Sequence, residues 1–192
     1  MRINQAAPIW GRLILFYTIL AAGLNGQSRL LRLDPSASTI KWTLGSSLHT
    51  VHGSFRFKSG EIQINTETSA VSGEIIVDAV SGESGNSSRD SKMHKVVLES
   101  AKYPEIRFRP ERFEGKLKAD GPSTIELHGS LEIHGTAHRM VIPVELRIET
   151  NQLRARFKLE VPYIEWGMKD PGNFLLKVDK KVALDLMLVG SI

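Results

Sequence analysis

Hydrophobic and polar residues alternate along most of the chain from residue 34 onward. In one segment Ile40, Trp42 and Leu44 occupy every second position, with polar residues between them. A period of two places alternate side chains on opposite faces of a β-strand. Gly, Asn, Asp and Ser turns separate such segments. The pattern predicts about eight strands, drawn from residues 39–44, 55–57, 61–65, 71–80, 106–110, 124–133, 140–149, 153–160 and 182–188.

One segment, residues 86–100, breaks this period. Met93 and Val97 are four residues apart, which places them on the same face of a helix. Asn86 or Ser87 is a suitable N-cap, because its side chain can accept a hydrogen bond from the first turn. The segment is therefore predicted to form one short α-helix that lies over an end of the β structure.

An antiparallel sheet with one hydrophobic face must bury that face. About eight strands do so as a two-sheet sandwich or as a closed barrel. Long, regular strands without a Cys–Trp–Cys core favour an all-β, eight-stranded antiparallel barrel. Gly129 and Ala155 fall among the inward positions. Such small residues either leave interior volume for a ligand or relieve crowding at a bend, and both interpretations stay open.

The first 26 residues have the pattern of a secretory signal peptide. Arg2 and Arg12 are their only charged residues, residues 13–24 form an apolar run, and small residues follow. A run of 12 residues is shorter than the roughly 20 that span a bilayer. We expect cleavage between residues 23 and 27 and export of the protein; the alternative is an uncleaved anchor.

Composition excludes several classes of function. The chain has 192 residues, 41% hydrophobic and 24% charged, which is ordinary for one globular domain. It has no cysteine, so a disulfide framework, a thiolate metal site and a cysteine nucleophile are excluded. The formal charge is only +4, and loss of two leader arginines halves it. Because basic and acidic residues are also interleaved, we expect no nucleic-acid partner.

Arg89, Asp90 and His94 form the densest polar cluster. Together with a nearby serine, the Asp–His pair has the residue types of a hydrolytic triad, although no nucleophile-elbow sequence accompanies it. Three interpretations remain open. Asp90 can support a helix N-terminus, Arg89 can face an anionic ligand, or the cluster can be catalytic.

The histidines do not predict a metal site. His134 and His138 have the i, i+4 spacing that chelates a metal on a helix, but Gly135 indicates a hairpin turn between them. His128 and His134 fall at outward positions, where we expect them to be solvated.

Four motifs, in this order, carry a resemblance to a known family. They are STIKWTL leading into HTVHGSF (38–44, 49–55), GNSSRDSKMH followed by YPEIRF (85–94, 103–108), GSLEIHGT (129–136) and WGMKDP (166–171). Over residues 33–190 the chain resembles the bacterial YceI-like family of polyisoprenoid-binding proteins.

The resemblance implies a lipocalin-like extended antiparallel barrel, exported to the periplasm, with a long isoprenoid chain in its interior. The implied ligand is a polyisoprenoid quinone or a prenyl phosphate, and no other cofactor or catalytic residue carries over. Two departures stand out. Residues 97–102 replace the family's Phe-Phe pair, which is expected to reshape the cavity entrance, and a short turn between residues 148 and 153 is expected to shorten one end of the barrel.

We therefore expect an exported, soluble carrier or sequestering protein for an isoprenoid-type lipid rather than an enzyme. The alternatives are an envelope hydrolase that acts on a hydrophobic ester or phosphate, and a ligand-free barrel that serves as an interaction module. Transient membrane contact fits the leading hypothesis. The oligomeric state, with a dimer as one option, stays open.

The inward positions of the predicted strands are the candidate lipid contacts, with the large Trp42 foremost. The segment 167–173 has the composition of a turn and is expected to rim the barrel mouth. Candidate head-group or entrance residues are Arg89, Asp90, His94 and Lys169. Candidate lipid contacts are Ile40, Trp42, Leu44, Phe55, Phe57, Ile75, Val77, Ile125, Leu127, Leu131, Ile142, Val144, Leu146, Phe157, Leu184 and Leu186.

Overall fold

The computed structural model describes residues 28–192, so the predicted signal peptide lies outside the described residues. The described chain contains nine β-strands, one α-helix and one π-helical turn. Their bounds are β1 Ser28–Leu33, β2 Thr39–Leu44, β3 Val51–Asn65, β4 Val71–Glu83, α1 Ser87–Lys92, the π-helical turn Met93–Val97, β5 Glu105–Gly115, β6 Gly121–Ile133, β7 Thr136–Glu149, β8 Gln152–Val161 and β9 Val182–Ser191.

The strands close into one antiparallel barrel. From β3 to β9 each strand pairs with the next along the chain, in an up-and-down order. Strand β1 pairs with residues 61–65 of β3 and 190–191 of β9, while β2 pairs with residues 51–55 and 183–187 of the same two strands. Strands β1 and β2 therefore lie end to end and together occupy one of the eight strand positions around the barrel. The predicted eight-stranded barrel with a short helix is confirmed.

Alternation of burial along each strand shows why these sequences form the wall. In β7 the side chains of Ile142, Val144 and Leu146 are buried, whereas the residues between them are exposed. A two-residue turn, His134 and Gly135, joins β6 to β7 with φ angles of 53° and 76°. Two positive φ angles are typical of the type I′ hairpin turn, which matches the twist of the flanking strands. The predicted hairpin is thus present here.

Two strands differ from the prediction. Strand β1 is absent from the predicted set. Its side chains alternate between buried and exposed, but the adjacent Leu30 and Leu31 hide this alternation in the sequence. Strand β3 is one long strand, although the pattern indicates two short segments. A register shift between Phe57 and Ser59 interrupts the period of two without ending the strand.

The helical segment covers one end of the barrel, which we name the upper end; the opposite end, with the β7–β8 turn, is the lower end. The side chain of Asn86 caps α1 and accepts from the backbone N–H of Arg89 at 3.0 Å. Val97 of the π-helical turn is buried and Met93 is half-buried, as predicted. Within residues 28–192, no helix combines the length and hydropathy needed to cross a bilayer.

Candidate functional site

A cavity of about 350 Å³ occupies the upper half of the barrel interior, and we name it the upper cavity. Its lining comes from eight strands, β2 to β9, together with the helical segment and two loops. Eleven of the sixteen candidate lipid contacts line it. They are Ile40, Trp42, Leu44, Phe55, Ile75, Val77, Leu131, Ile142, Phe157, Leu184 and Leu186.

The lower half of the interior is nearly filled. It contains a lower cavity of about 80 Å³, lined by hydrophobic side chains. Among the candidate lipid contacts, Ile125, Leu127, Val144 and Leu146 line this space and lie outside the upper cavity. Phe57 is buried in the core and lines neither cavity. The sixteen candidates therefore do not share one tunnel.

Four side chains separate the two cavities. Ile75, Phe108, Ile142 and Phe157 line both the upper and the lower cavity, so they form a layer across the interior. We name this layer the partition. Two of its members are aromatic and come from different strands, β5 and β8, so the large rings provide most of the side-chain volume between the cavities.

Gly129 provides the space for one partition residue. A Cβ added at Gly129 would lie 2.7 Å from Cζ of Phe108 and 2.5 Å from the backbone oxygen of Arg109. The volume beside Gly129 is therefore filled by the Phe108 ring and is not left for a ligand. A register shift between Pro110 and Arg112 lies on the neighbouring strand, which supports the alternative that Gly129 relieves crowding at a bend.

Hydrophobic residues from the loop between β8 and β9 close part of the upper cavity. Met168, Leu176 and Val178 line the cavity from this loop. Tyr163 also lines it, and its hydroxyl donates to the backbone oxygen of Asp179 at 2.8 Å. Burial raises the pKa of Tyr163 to about 12, so the side chain is neutral. Sequence patterning does not reveal these residues because they lie outside periodic strands.

Two cations lie at the rim of the upper cavity. Arg89 lines it and donates from Nε to Oγ of Ser84 at 2.7 Å. Lys92 also lines it and donates from Nζ to the backbone oxygen of Pro171 at 2.6 Å. Among the described residues that line this cavity there is no carboxylate. Arg89, a predicted head-group or entrance residue, thus lines the cavity, and Lys92, which is not among the predicted site residues, lines it as well.

Asp90 and His94 have structural partners instead of each other. Oδ1 of Asp90 accepts from the backbone N–H of Ser84 at 2.9 Å and from its hydroxyl. Nε2 of His94 lies 2.8 Å from the backbone oxygen of Gly82, and Nδ1 lies 2.9 Å from Oγ of Ser100. A carbonyl only accepts, so Nε2 carries a proton, and in the neutral ring Nδ1 accepts from the Ser100 hydroxyl. This arrangement supports the structural interpretation of the pair over the triad.

Lys169 is exposed and does not line either cavity. Its charge acts on Glu99 instead. The hydrogen bond with His134, at 2.6 Å between Nε2 and Oε2, lowers the pKa of Glu99, and the charges of Lys102 and Lys169 lower it further. The His134 side chain is only 17% exposed, so the expectation that it is solvated is wrong.

His138 and His128 also have side-chain neighbours. The ring of His138 stacks on Trp166, with centroids 3.9 Å apart. His128 lies beside Glu114 on the outer surface, where Glu126 completes a group with metal-ligand spacing. Because Arg112 donates to the carboxylate of Glu114 and also approaches His128, a side-chain cation already occupies this group.

Trp42 lies between a glycine and the upper cavity. Its side chain is 5% exposed, and a Cβ added at Gly53 would lie 2.2 Å from its Cζ2. Among the described residues, the buried Nε1 of Trp42 has no hydrogen-bond acceptor. A buried donor without a partner costs free energy, so such a group is commonly satisfied by a ligand or water.

A family model for the YceI-like domain matches residues 31–189 of the chain. The chain belongs to the YceI-like family. No curated protein matches the chain at the level of sequence. The resemblance seen in the four motifs is thereby confirmed.

Solved structures share this YceI-like fold at low sequence identity. A polyisoprenoid-binding domain from Saccharophagus degradans, implicated in plant cell wall breakdown, superposes with a TM-score of 0.67 at 17% identity, over 84% of this chain and 97% of that one. BcnA from Burkholderia cenocepacia gives 0.67 at 16%, over 82% and 98%. The YceI protein of Campylobacter jejuni gives 0.58 at 14%, over 72% and 84%.

The two departures from the YceI-like pattern lie at opposite ends of the barrel. At the upper end Val97 and Leu98 line the cavity, and Glu99 holds His134. At the lower end β7 and β8 are joined by only two residues, and Thr150 has a φ of 58°. The first departure therefore contributes directly to the wall of the cavity, and the second lies at the end away from it.

Proposed function

We propose that this YceI-like protein is an exported, periplasmic binding protein that holds an isoprenoid-type lipid in the upper cavity. One observation carries the proposal. The cavity of about 350 Å³ is almost wholly apolar, and its rim holds Arg89 and Lys92. This combination suits a ligand with a hydrophobic tail and an anionic or polar head.

The tail provides the binding free energy. The cavity volume lies within the range of roughly 300–1,000 Å³ found for small-molecule pockets. Removal of a CH₂ group from water contributes about 0.8 kcal/mol, so a tail of about a dozen carbons reaches micromolar affinity after the costs of binding. Trp42, Phe55 and Leu184 would contact this tail, because their side chains line the cavity.

The head group would lie at the rim. Arg89 and Lys92 offer positive charge there, which favours a prenyl phosphate over a neutral quinone.

Two further features support the finer parts of the proposal. The leader pattern of residues 1–26 supports export. The neighbour from Saccharophagus degradans is described as a polyisoprenoid-binding domain, which supports an isoprenoid as the ligand class.

The experiment is native mass spectrometry of the protein recovered from a bacterial periplasm, followed by organic extraction. We expect a mass that lacks the leader, with a non-covalent adduct that resolves into an isoprenoid lipid. Recovery of an uncleaved chain from the cell interior would contradict export. An adduct-free protein that also fails to bind added farnesyl phosphate would contradict the ligand.

A matched pair of variants locates the adduct. Leu184→Trp fills the upper cavity and is expected to abolish the adduct, whereas Val141→Trp adds the same ring at an exposed position and should retain it. Circular dichroism checks that both fold, and Leu184→Phe serves if the larger ring prevents folding. Retention of the lipid by a folded Leu184 variant would place the ligand elsewhere.

A further inference from the structure

Three large hydrophobic side chains are exposed beside the opening of the upper cavity. Phe174 is 97% exposed, Leu175 is 84% exposed and Leu48 is 75% exposed. They are the three most exposed large hydrophobic residues of the described chain. We name them the mouth patch. Scattered exposed leucines are ordinary, but a group of this kind at one place indicates an interaction surface.

The mouth patch lies on two loops, residues 45–50 and 171–178, which backbone hydrogen bonds hold together. The N–H of Ser47 donates to the backbone oxygen of Lys177 at 2.8 Å, and Ser46 forms an isolated bridge with Val178. The side-chain oxygen of Asn173 accepts from the N–H groups of residues 175 and 176, which fixes the turn that carries Phe174 and Leu175. The exposed side chains of the patch are therefore carried by loops that hydrogen bonds hold in place.

The same loops form the rim of the cavity. Ser46 and His49 flank Leu48 in sequence and line the upper cavity. Leu176 lies directly after the two exposed residues of the second loop and turns inward to line the cavity as well. A surface that binds the mouth patch would consequently lie against the opening.

Positive charges outnumber negative charges around the patch. Residues 45–50 and 171–178 contain no acidic residue and include Lys177, and the nearby rim holds Arg89 and Lys92. Two carboxylates border the second loop. Asp170 accepts from a backbone N–H within its own turn, and Asp179 lies over Gly45.

We propose that the mouth patch inserts into the surface of an anionic phospholipid membrane, so that the upper cavity opens onto the bilayer. Exposed Phe and Leu side chains flanked by lysine and arginine are typical of segments that bind at membrane interfaces. This inference rests on the proposed function, because docking of the cavity opening on a bilayer gives a lipid ligand a path that avoids water.

The absence of cysteine allows a local test. Leu175→Cys places one thiol in the mouth patch, and Val141→Cys places one at an exposed position on the wall of the barrel. Each variant is labelled with an environment-sensitive fluorophore and mixed with vesicles of phosphatidylethanolamine and phosphatidylglycerol. We expect a blue shift for the label at residue 175 and none at residue 141.

The contrary outcomes are distinct. No shift at residue 175, or equal shifts at both positions, would overturn the docking surface. An equally large shift with vesicles of pure phosphatidylcholine would overturn the role of the positive charges. A blue shift that needs no vesicles and grows with protein concentration would show that a second copy of the chain covers the patch, which would also overturn the proposal.

A double variant separates docking from ligand binding. Phe174→Ser with Leu175→Ser should weaken binding to the anionic vesicles by at least about tenfold, because two large apolar side chains no longer leave water. Its affinity for farnesyl phosphate added as monomers should be unchanged. Loss of vesicle binding with intact ligand affinity supports the inference; intact vesicle binding overturns it. A wild-type protein that docks but binds no prenyl lipid would overturn the proposed function alone.

Discussion

The two halves of the barrel share the same strands yet differ in how their interiors are filled. On β9, Leu184 faces the upper cavity of about 350 Å³. Leu188, four residues further along the same face, lines a space of about 80 Å³. The strands pass continuously through both halves. The difference therefore comes from the partition and from what closes each end.

The closures of the two ends have different chemistry. A two-residue turn joins β7 to β8 at the lower end, so the wall itself brings hydrophobic side chains together there. At the upper end a helix and long loops span the opening, and Arg89 and Lys92 lie at the rim. The upper end also contains the two-residue β6–β7 turn, but its helical segment and its β8–β9 loop are long crossings, and these leave a cavity with a polar margin.

The largest expected effect is on stability. Leu188→Ala should lower the free energy of unfolding by about 2–5 kcal/mol, because the buried side chain leaves a void in a well-filled region. Leu184→Ala should cost only about 1–2 kcal/mol, since its side chain already faces open space. Urea unfolding of both variants checks the contrast, and equal losses would contradict the difference between the halves.

The next effect concerns the partition. Phe157→Ala should join the two cavities. In the wild type we expect the affinity for prenyl phosphates to stop rising once the tail fills the upper cavity, whereas in the variant it should continue to rise with longer tails. For a tail one isoprene unit longer than this limit, we expect the affinity of the variant to increase by at least about tenfold. Calorimetry across a series of prenyl phosphates of increasing length measures this gain.

Leu127→Ala is the control for that variant, because it enlarges the lower cavity without changing the partition. It should keep the wild-type length limit. If Phe157→Ala shows the same limit as the wild type, or if Leu127→Ala also removes it, the partition does not set the length of the tail.

A smaller effect is expected at the rim. Arg89→Gln should weaken the binding of farnesyl phosphate by about five- to tenfold, because one charge-assisted contact is lost at a partly solvated site. Farnesol, which has the same tail without the charge, should bind the variant and the wild type equally. An equal loss for both ligands would assign Arg89 to packing instead of head-group recognition.

The smallest effect is on pH dependence. Tyr163→Phe removes the hydrogen bond to Asp179 and should cost about 1 kcal/mol at neutral pH. Since the folded-state pKa of Tyr163 is raised to about 12 from 10.0, its contribution is complete below pH 10 and is lost as the pH rises toward 12. Urea unfolding of both proteins should therefore show a difference that shrinks over this range; a constant difference would contradict the assignment.

The wall of the barrel could be predicted from the sequence because each inward residue is one of an alternating series. Ile142, Val144 and Leu146 illustrate this, and the structure buries all three. Local irregularities could not be predicted in the same way. The register shift after Phe57 turns one strand into two apparent segments, and adjacent leucines obscure β1.

The division of the interior could not be predicted, because alternation tells inward from outward but carries no information on height within the barrel. Leu131 and Leu127 have the same pattern on the same strand, yet only the first reaches the upper cavity. The loop residues Met168 and Leu176 have no period at all. Their place in the cavity depends on how the loop crosses the opening, which is a property of the folded chain.

A crystal structure of the protein in complex with farnesyl phosphate tests the central claim most directly. We predict that the tail occupies the upper cavity and ends at Phe108 and Phe157, with the phosphate within hydrogen-bond distance of Arg89 and Lys92. A tail in the lower cavity, or a ligand bound only outside the barrel, would contradict the account.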